Sequence, residues 1–282
     1  MVRTDCVARA LLPASRATRG TFLTTKDTKV HEGSSSFVIL CVLRGFCFML
    51  VAENIARIRE RITTAALRAS RTPEEITLMA VSKTFPPELI REAYDTGIRV
   101  FGENRVQEFA GKAAALRNLP DAEWRLIGHL QSNKAAKAVE LFSAIDSVDS
   151  VRLAERLNSF AEAAGKTLPV LIEINVGGEE AKSGIAPGSG ELEPILLGAP
   201  RWKNLAIRGL MTVPPYTEDP EGARAYFRQL RQIRDGIAAR RLPAVSMEVL
   251  SMGMSHDFEI AIEEGSTCVR IGTAIFGERA RA

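Results

Sequence analysis

A chain of 282 residues, 46% of them hydrophobic, can bury one large core or two small ones, and it is too polar to be an integral membrane protein. Its formal charge of +3 arises in the first fifty residues, where seven Lys/Arg meet three Asp/Glu, leaving 30 against 31 in the body. A neutral body has no basic face for nucleic acid. Cys6, Cys41 and Cys47 also fall in that stretch, only Cys268 lies in the body, and the three histidines are scattered, so neither a disulfide framework nor a metal site of usual spacing is expected.

Residues 1–36 are rich in Ser, Thr and Arg without helical or strand periodicity, which reads as disorder. The apolar run 37–52 is short for a membrane span and carries Arg44 at its middle, where a charge is expensive. A transit peptide fits this composition only loosely. The preferred reading is that residues 1–48 are a disordered extension or a misassigned start, with Met49 opening the folded domain, residues 49–282.

From residue 53, Ile55, Ile58, Ile62, Ala65, Ala66 and Ala69 recur at intervals of three and four, predicting a helix up to residue 70. The run 76–81 is a short buried-type strand, and Pro86 and Pro87 open the next helix. The same unit recurs with strands at 99–102, 124–128, 144–148, 170–176, 207–213, 249–252 and 269–271. Helical patterns intervene at 89–95, 106–116, 135–142, 152–164, 223–239 and 258–264. Eight strands in about 230 residues favour a single (β/α)8 TIM barrel, although a doubly wound open sheet shares the local pattern. Either fold places its binding site just beyond the C-terminal ends of the strands.

Those ends carry the candidates. Lys83 follows the first strand; a strand-end lysine is most often a solvated boundary residue, but a partly desolvated one has a lowered pKa and can attack an aldehyde. Asn104 closes the second strand, as a helix cap or a ligand partner. The third runs into Ile127-Gly128-His129-Leu130-Gln131-Ser132-Asn133-Lys134, either turn chemistry or substrate contact. Ser255 reads as the N-cap of a helix from His256, where a phosphate would meet a hydroxyl and unpaired amides, with Gly272 and Thr273 completing the cradle.

Taken in order, Ala80-Val81-Ser82-Lys83-Thr84, Phe101-Gly102-Glu103-Asn104, the Ile127 to Lys134 block, Lys182-Ser183-Gly184, Arg208-Gly209-Leu210-Met211, Ser251-Met252-Gly253-Met254-Ser255 and Arg270-Ile271-Gly272-Thr273-Ala274-Ile275-Phe276-Gly277 resemble the pyridoxal 5′-phosphate (PLP) homeostasis protein family, whose fold is similar to the alanine racemase N-terminal barrel. The resemblance runs from about Met49 to the end. It implies an α/β barrel of PLP fold type III, without the C-terminal β domain of alanine racemase. It further implies that Lys83 carries PLP as a Schiff base, Asn104 reaches the cofactor ring and Met211 packs near it. Ser255, Gly272 and Thr273 would hold the phosphate, and Arg270 would face the pyridine nitrogen. Arg125 departs from the pattern, in which His is expected.

A guanidinium does not readily exchange a proton, so Arg270 would keep the pyridine nitrogen unprotonated and the ring a weak electron sink. Racemisation also needs a base on each face of the substrate, and none of Tyr94, Tyr216 and Tyr226 lies in a strand-end motif. The expectation is a cytoplasmic, monomeric, non-catalytic PLP carrier, with PLP-dependent apoenzymes as recipients and neither membrane nor nucleic acid as partner. A small amino-acid racemase is the alternative, and a phosphate-binding barrel for another ligand is the third reading. Lys134, Lys137 and Lys182 are read as solvated surface lysines.

Overall fold

The computed structural model describes residues 35–179 and 182–278, with side chains from Leu50 onward. Two compact units divide at residues 42 and 43; of the first, only helical backbone from Ser35 is described, so the reading of residues 1–34 lies outside the described part. The second unit is the barrel.

Helix α1 (Ser35–Arg68) starts upstream of the predicted stripe. Ile55, Ile58, Ile62, Ala65 and Ala66 are buried, as their spacing requires. Eight parallel strands then close in sequence order: β1 (Thr77–Val81), β2 (Val100–Glu103), β3 (Glu123–Leu126), β4 (Ala144–Val148), β5 (Leu168–Glu173), β6 (Leu205–Met211), β7 (Val245–Ser251) and β8 (Cys268–Ile271). The barrel shuts where β8 pairs with β1, Met79 opposite Arg270 and Ala80 opposite Ile271. This decides between barrel and open sheet.

The crossover helices are α2 (Pro87–Asp95), α3 (Val106–Leu116), α4 (Ala135–Leu141), α5 (Val151–Ala163), α6 (Leu192–Gly198), α7 (Arg224–Ala239) and α8 (Phe258–Glu263), followed by the short α9 (Thr273–Phe276). Helix α6, only seven residues long, was not signalled by periodicity; a run that short gives too few turns to distinguish it from loop. Strands β3, β5 and β6 end earlier than expected, at Leu126, Glu173 and Met211. Beyond Glu173 the chain keeps only an isolated bridge between Ile174 and Ile185, because it is already turning over the mouth.

Aromatic rings fix the α3 side of the barrel. Phe101 stacks on Trp124 at 4.9 Å, and Phe109 meets Trp124 at 4.7 Å and Phe142 at 5.0 Å. Two glycines are dictated by close approach. At Gly209 (φ +156°) a Cβ would lie 1.8 Å from the Val249 carbonyl oxygen, where the β6–β7 register shifts. At Gly128 a Cβ would lie 2.4 Å from the Asn104 carbonyl, so its absence lets the β3 loop close against the end of β2.

Candidate functional site

Six of the seven predicted residues meet in one cavity of about 310 Å³ at the C-terminal mouth of the barrel: Lys83, Asn104, Ser255, Arg270, Gly272 and Thr273. Met211 is the exception. It is fully buried at the end of β6, two residues before Val213, which does line the cavity.

Lys83 is half-buried on a tight turn after β1. The turn is closed by the Phe85 amide donating to the Ser82 carbonyl at 3.2 Å, and Thr84 within it is left-handed at φ +68°. Asn104 follows β2, and its Oδ1 is buried without a hydrogen-bond donor in the protein. An orphaned acceptor on a cavity wall fits a ligand that brings its own donor.

Arg270 is 3% exposed. It donates to Ser251 Oγ at 2.8 Å and to the Thr212 carbonyl at 2.6 Å, which fixes the guanidinium plane from the ends of β6 and β7. Burial pulls its pKa below the usual arginine value, opposed by the Cys268 thiol and by Asp146, Asp257 and Glu173. The guanidinium is thus a rigid, dry donor at the cavity wall.

Ser255 behaves differently from the cap expected of it. The helix begins at Phe258, with Asp257 at the cap position, because the Asp257 carboxylate accepts the Met254 amide at 2.6 Å and holds residues 254–257 as a separate turn. Ser255 Oγ instead accepts from the Ala274 amide at 3.4 Å, tying the β7 loop to the turn after β8 where Gly272 and Thr273 sit. The hydroxyl and those two residues therefore converge by a cross-loop contact, not by capping.

A second cavity of about 550 Å³ shares Asn104, Ile127 and Val213 with the first and adds His129, Glu173, Lys182 and Ser183. His129 Nδ1 lies 3.1 Å from Asp149 Oδ2. Glu173 Oε1 accepts from Ser183 Oγ at 3.0 Å while Oε2 is buried without a donor; burial pushes its carboxyl pKa up. Lys182 donates to the Pro214 carbonyl and pairs with Glu179, so it contributes to this wall. Glu173 was missed in the sequence although it obeys the strand-end rule; the unbroken apolar run around it hid it. Arg125 points elsewhere, pairing with buried Asp146 at 3.0 Å, and lines neither cavity.

A closed parallel barrel with amine, amide, hydroxyl and guanidinium groups at its strand ends defines a class, and residues 52–280 match the family model "Alanine racemase, N-terminal domain". The chain belongs to the pyridoxal phosphate homeostasis protein family. It is 49% identical over 232 residues to the Pyridoxal phosphate homeostasis protein of Aquifex aeolicus, covering 82% of this chain and 99% of the relative. The protein of that name from Escherichia coli is 44% identical over 234 residues, covering 81% and 97%. Among solved structures, PipY of Synechococcus elongatus with PLP bound superposes with a TM-score of 0.70 at 40% identity, covering 80% of this chain and all of that one. Alanine racemase from Streptomyces coelicolor, at 20% identity and TM-score 0.61, shares the fold; only 59% of its chain is matched.

Proposed function

We propose that this protein binds PLP for vitamin B6 homeostasis, tethering the cofactor reversibly at Lys83 without turning over a substrate. One observation carries the reading: Lys83, Asn104, Ser255, Arg270, Gly272 and Thr273, brought from the ends of β1, β2, β7 and β8, converge on a single cavity. The names of the relatives and the PLP-bound PipY support it.

Bound PLP supplies an aldehyde that condenses with a primary amine and, in enzymes, a ring that accepts electrons. Lys83 provides the amine. Ser255, Gly272 and Thr273 receive the phosphate, and the orphaned Asn104 Oδ1 offers an acceptor to the ring. Met211 would act from within the barrel wall, through its packing. Arg270 would face the ring nitrogen, and because a guanidinium keeps its own protons that nitrogen would stay neutral.

The chain's other residues favour holding over turnover. No tyrosine lines the cavity among the described residues, and its imidazole, His256, places Nε2 at 3.1 Å from the carbonyls of both Thr217 and Glu218. With His256 turned to those carbonyls, we assign no second acid or base facing Lys83 across a substrate. We also propose PLP-dependent apoenzymes as recipients, a cytoplasmic monomer, and a barrel domain of residues 49–282, with 1–48 outside it. Among the described residues no helix is long and apolar enough to cross a membrane.

Incubation with PLP followed by removal of the free cofactor should leave a visible absorbance band that is absent in Lys83→Ala. A colourless wild-type protein would overturn the reading of the site. Exchange of the α-proton of L-amino acids in deuterated water at an enzyme-like rate would overturn the non-catalytic part alone and favour the racemase.

A further inference from the structure

Two buried charges outside both cavities brace the turn that carries Lys83. Lys112 on α3 is 8% exposed, and Glu103 at the end of β2 is fully buried. Lys112 Nζ lies 2.9 Å from Glu103 Oε1 and 3.5 Å from Glu108 Oε1. It also donates to the backbone carbonyls of Ser82 at 2.9 Å and Phe85 at 3.4 Å. Those two carbonyls bracket Lys83 and Thr84.

The turn needs support. A β-branched residue in the left-handed region is a genuine outlier, costing on the order of 1 kcal/mol or more. The Thr84 amide donates to the Glu108 carboxylate, and Ser82 Oγ donates to Glu103 Oε1 at 2.5 Å. Helix α3 and the end of β2 thus grip residues 82–85 at two carbonyls, one amide and one hydroxyl. Burying both ions carries a desolvation penalty that an apolar pair would avoid, and the three N–H donors of the ammonium are shared among two carbonyls and two carboxylates, the Ser82 carbonyl and Glu103 being nearest at 2.9 Å.

We propose that Lys112, together with Glu103 and Glu108, is a positioning residue that holds the 82–85 turn in its strained form and so presents the Lys83 amine to the cavity. The consequence for PLP rests on the assignment of the cofactor to Lys83; the grip on the turn does not.

The test compares wild type, Lys112→Met, Thr84→Gly and the Thr84→Gly/Lys112→Met double variant. Amide hydrogen exchange of residues 82–85 is measured on cofactor-free protein, and PLP release from loaded protein is followed by loss of visible absorbance, with Lys83→Ala as the blank. In Lys112→Met, exchange at Thr84 and Phe85 and the release rate should each rise about tenfold, the scale of one lost charge-assisted hydrogen bond. Glycine adopts φ +68° without strain, so in the Thr84→Gly background the same substitution should change release by less than about threefold. A folded Lys112→Met with wild-type exchange, or an equal effect in both backgrounds, overturns the proposal. Should Lys112→Met be insoluble, Glu103→Gln/Lys112→Met, which removes both buried charges together, is read in its place with the same expectations. If PLP uptake proves independent of Lys83, the cofactor assignment falls while the exchange result still decides the grip.

Discussion

Replacing Arg270 by Met removes a buried guanidinium while keeping much of its volume. The side chain donates to Ser251 Oγ and to the Thr212 carbonyl, both fully buried, so both acceptors lose a charged donor. Each hydrogen bond from a charged group is worth roughly 1.5–3 kcal/mol, and removing one partner of a buried charged set costs roughly 3–5 kcal/mol. Asp146, Glu173 and Asp257 also lose a neighbour that favours their ionised forms. Apolar packing by Met offsets part of this, leaving an expected loss of about 3 kcal/mol in the cofactor-free protein. Urea unfolding at neutral pH, with the m-value checked for constancy, measures it directly. An Arg270→Met protein within about 1 kcal/mol of wild type would show that the three barrel ends are not held through this guanidinium. Stability is read without PLP, so the result does not depend on the cofactor assignment.

Two further outcomes follow from the geometry. Burial raises the Glu173 carboxyl, so its contribution to stability is present below the ordinary glutamate pKa of about 4.3 and is lost as pH rises through the folded value. Glu173→Gln keeps an acceptor for Ser183 and should gain stability relative to wild type as pH climbs above about 4; a difference that stays flat with pH in paired denaturation curves would contradict the assignment. Gly209→Ala puts a Cβ into the Val249 carbonyl and should cost about 3 kcal/mol or more, seen as a lowered Tm, since backbone must move. A wild-type Tm there would mean that the β6–β7 irregularity yields freely.

Periodicity made the barrel legible: the strands are short, apolar and evenly interleaved with amphipathic helices, and neither feature depends on distant contacts. For Lys83 and Asn104 the strand-end position alone left a solvated lysine and a helix cap open, and it was the ordered motifs of the family resemblance that singled them out together with Arg270. Ser255 lines the cavity, but not as the helix cap its pattern suggests. Its local pattern is that of a cap, and only the fold shows Asp257 displacing it and the Ala274 amide donating to its hydroxyl. Lys112 was hidden by residue type, although its spacing from Phe109 and Leu116 puts it on the buried stripe of α3. A lysine on that stripe looks like a register error until its four oxygen partners are seen. Met211 lies in the expected strand, but a motif carries no information on whether a side chain meets the cavity or packs within the wall.

The closure of the sheet has a temporal meaning. Lys83 follows the first barrel strand to leave the ribosome and Arg270 belongs to the last, yet β1 and β8 are hydrogen-bonded neighbours. Nearly the whole domain must be synthesised before both halves of the pocket exist. A chain lacking β8 has the lysine but not the wall that Arg270, Gly272 and Thr273 supply, so the cavity proposed for the cofactor exists only once the barrel has closed.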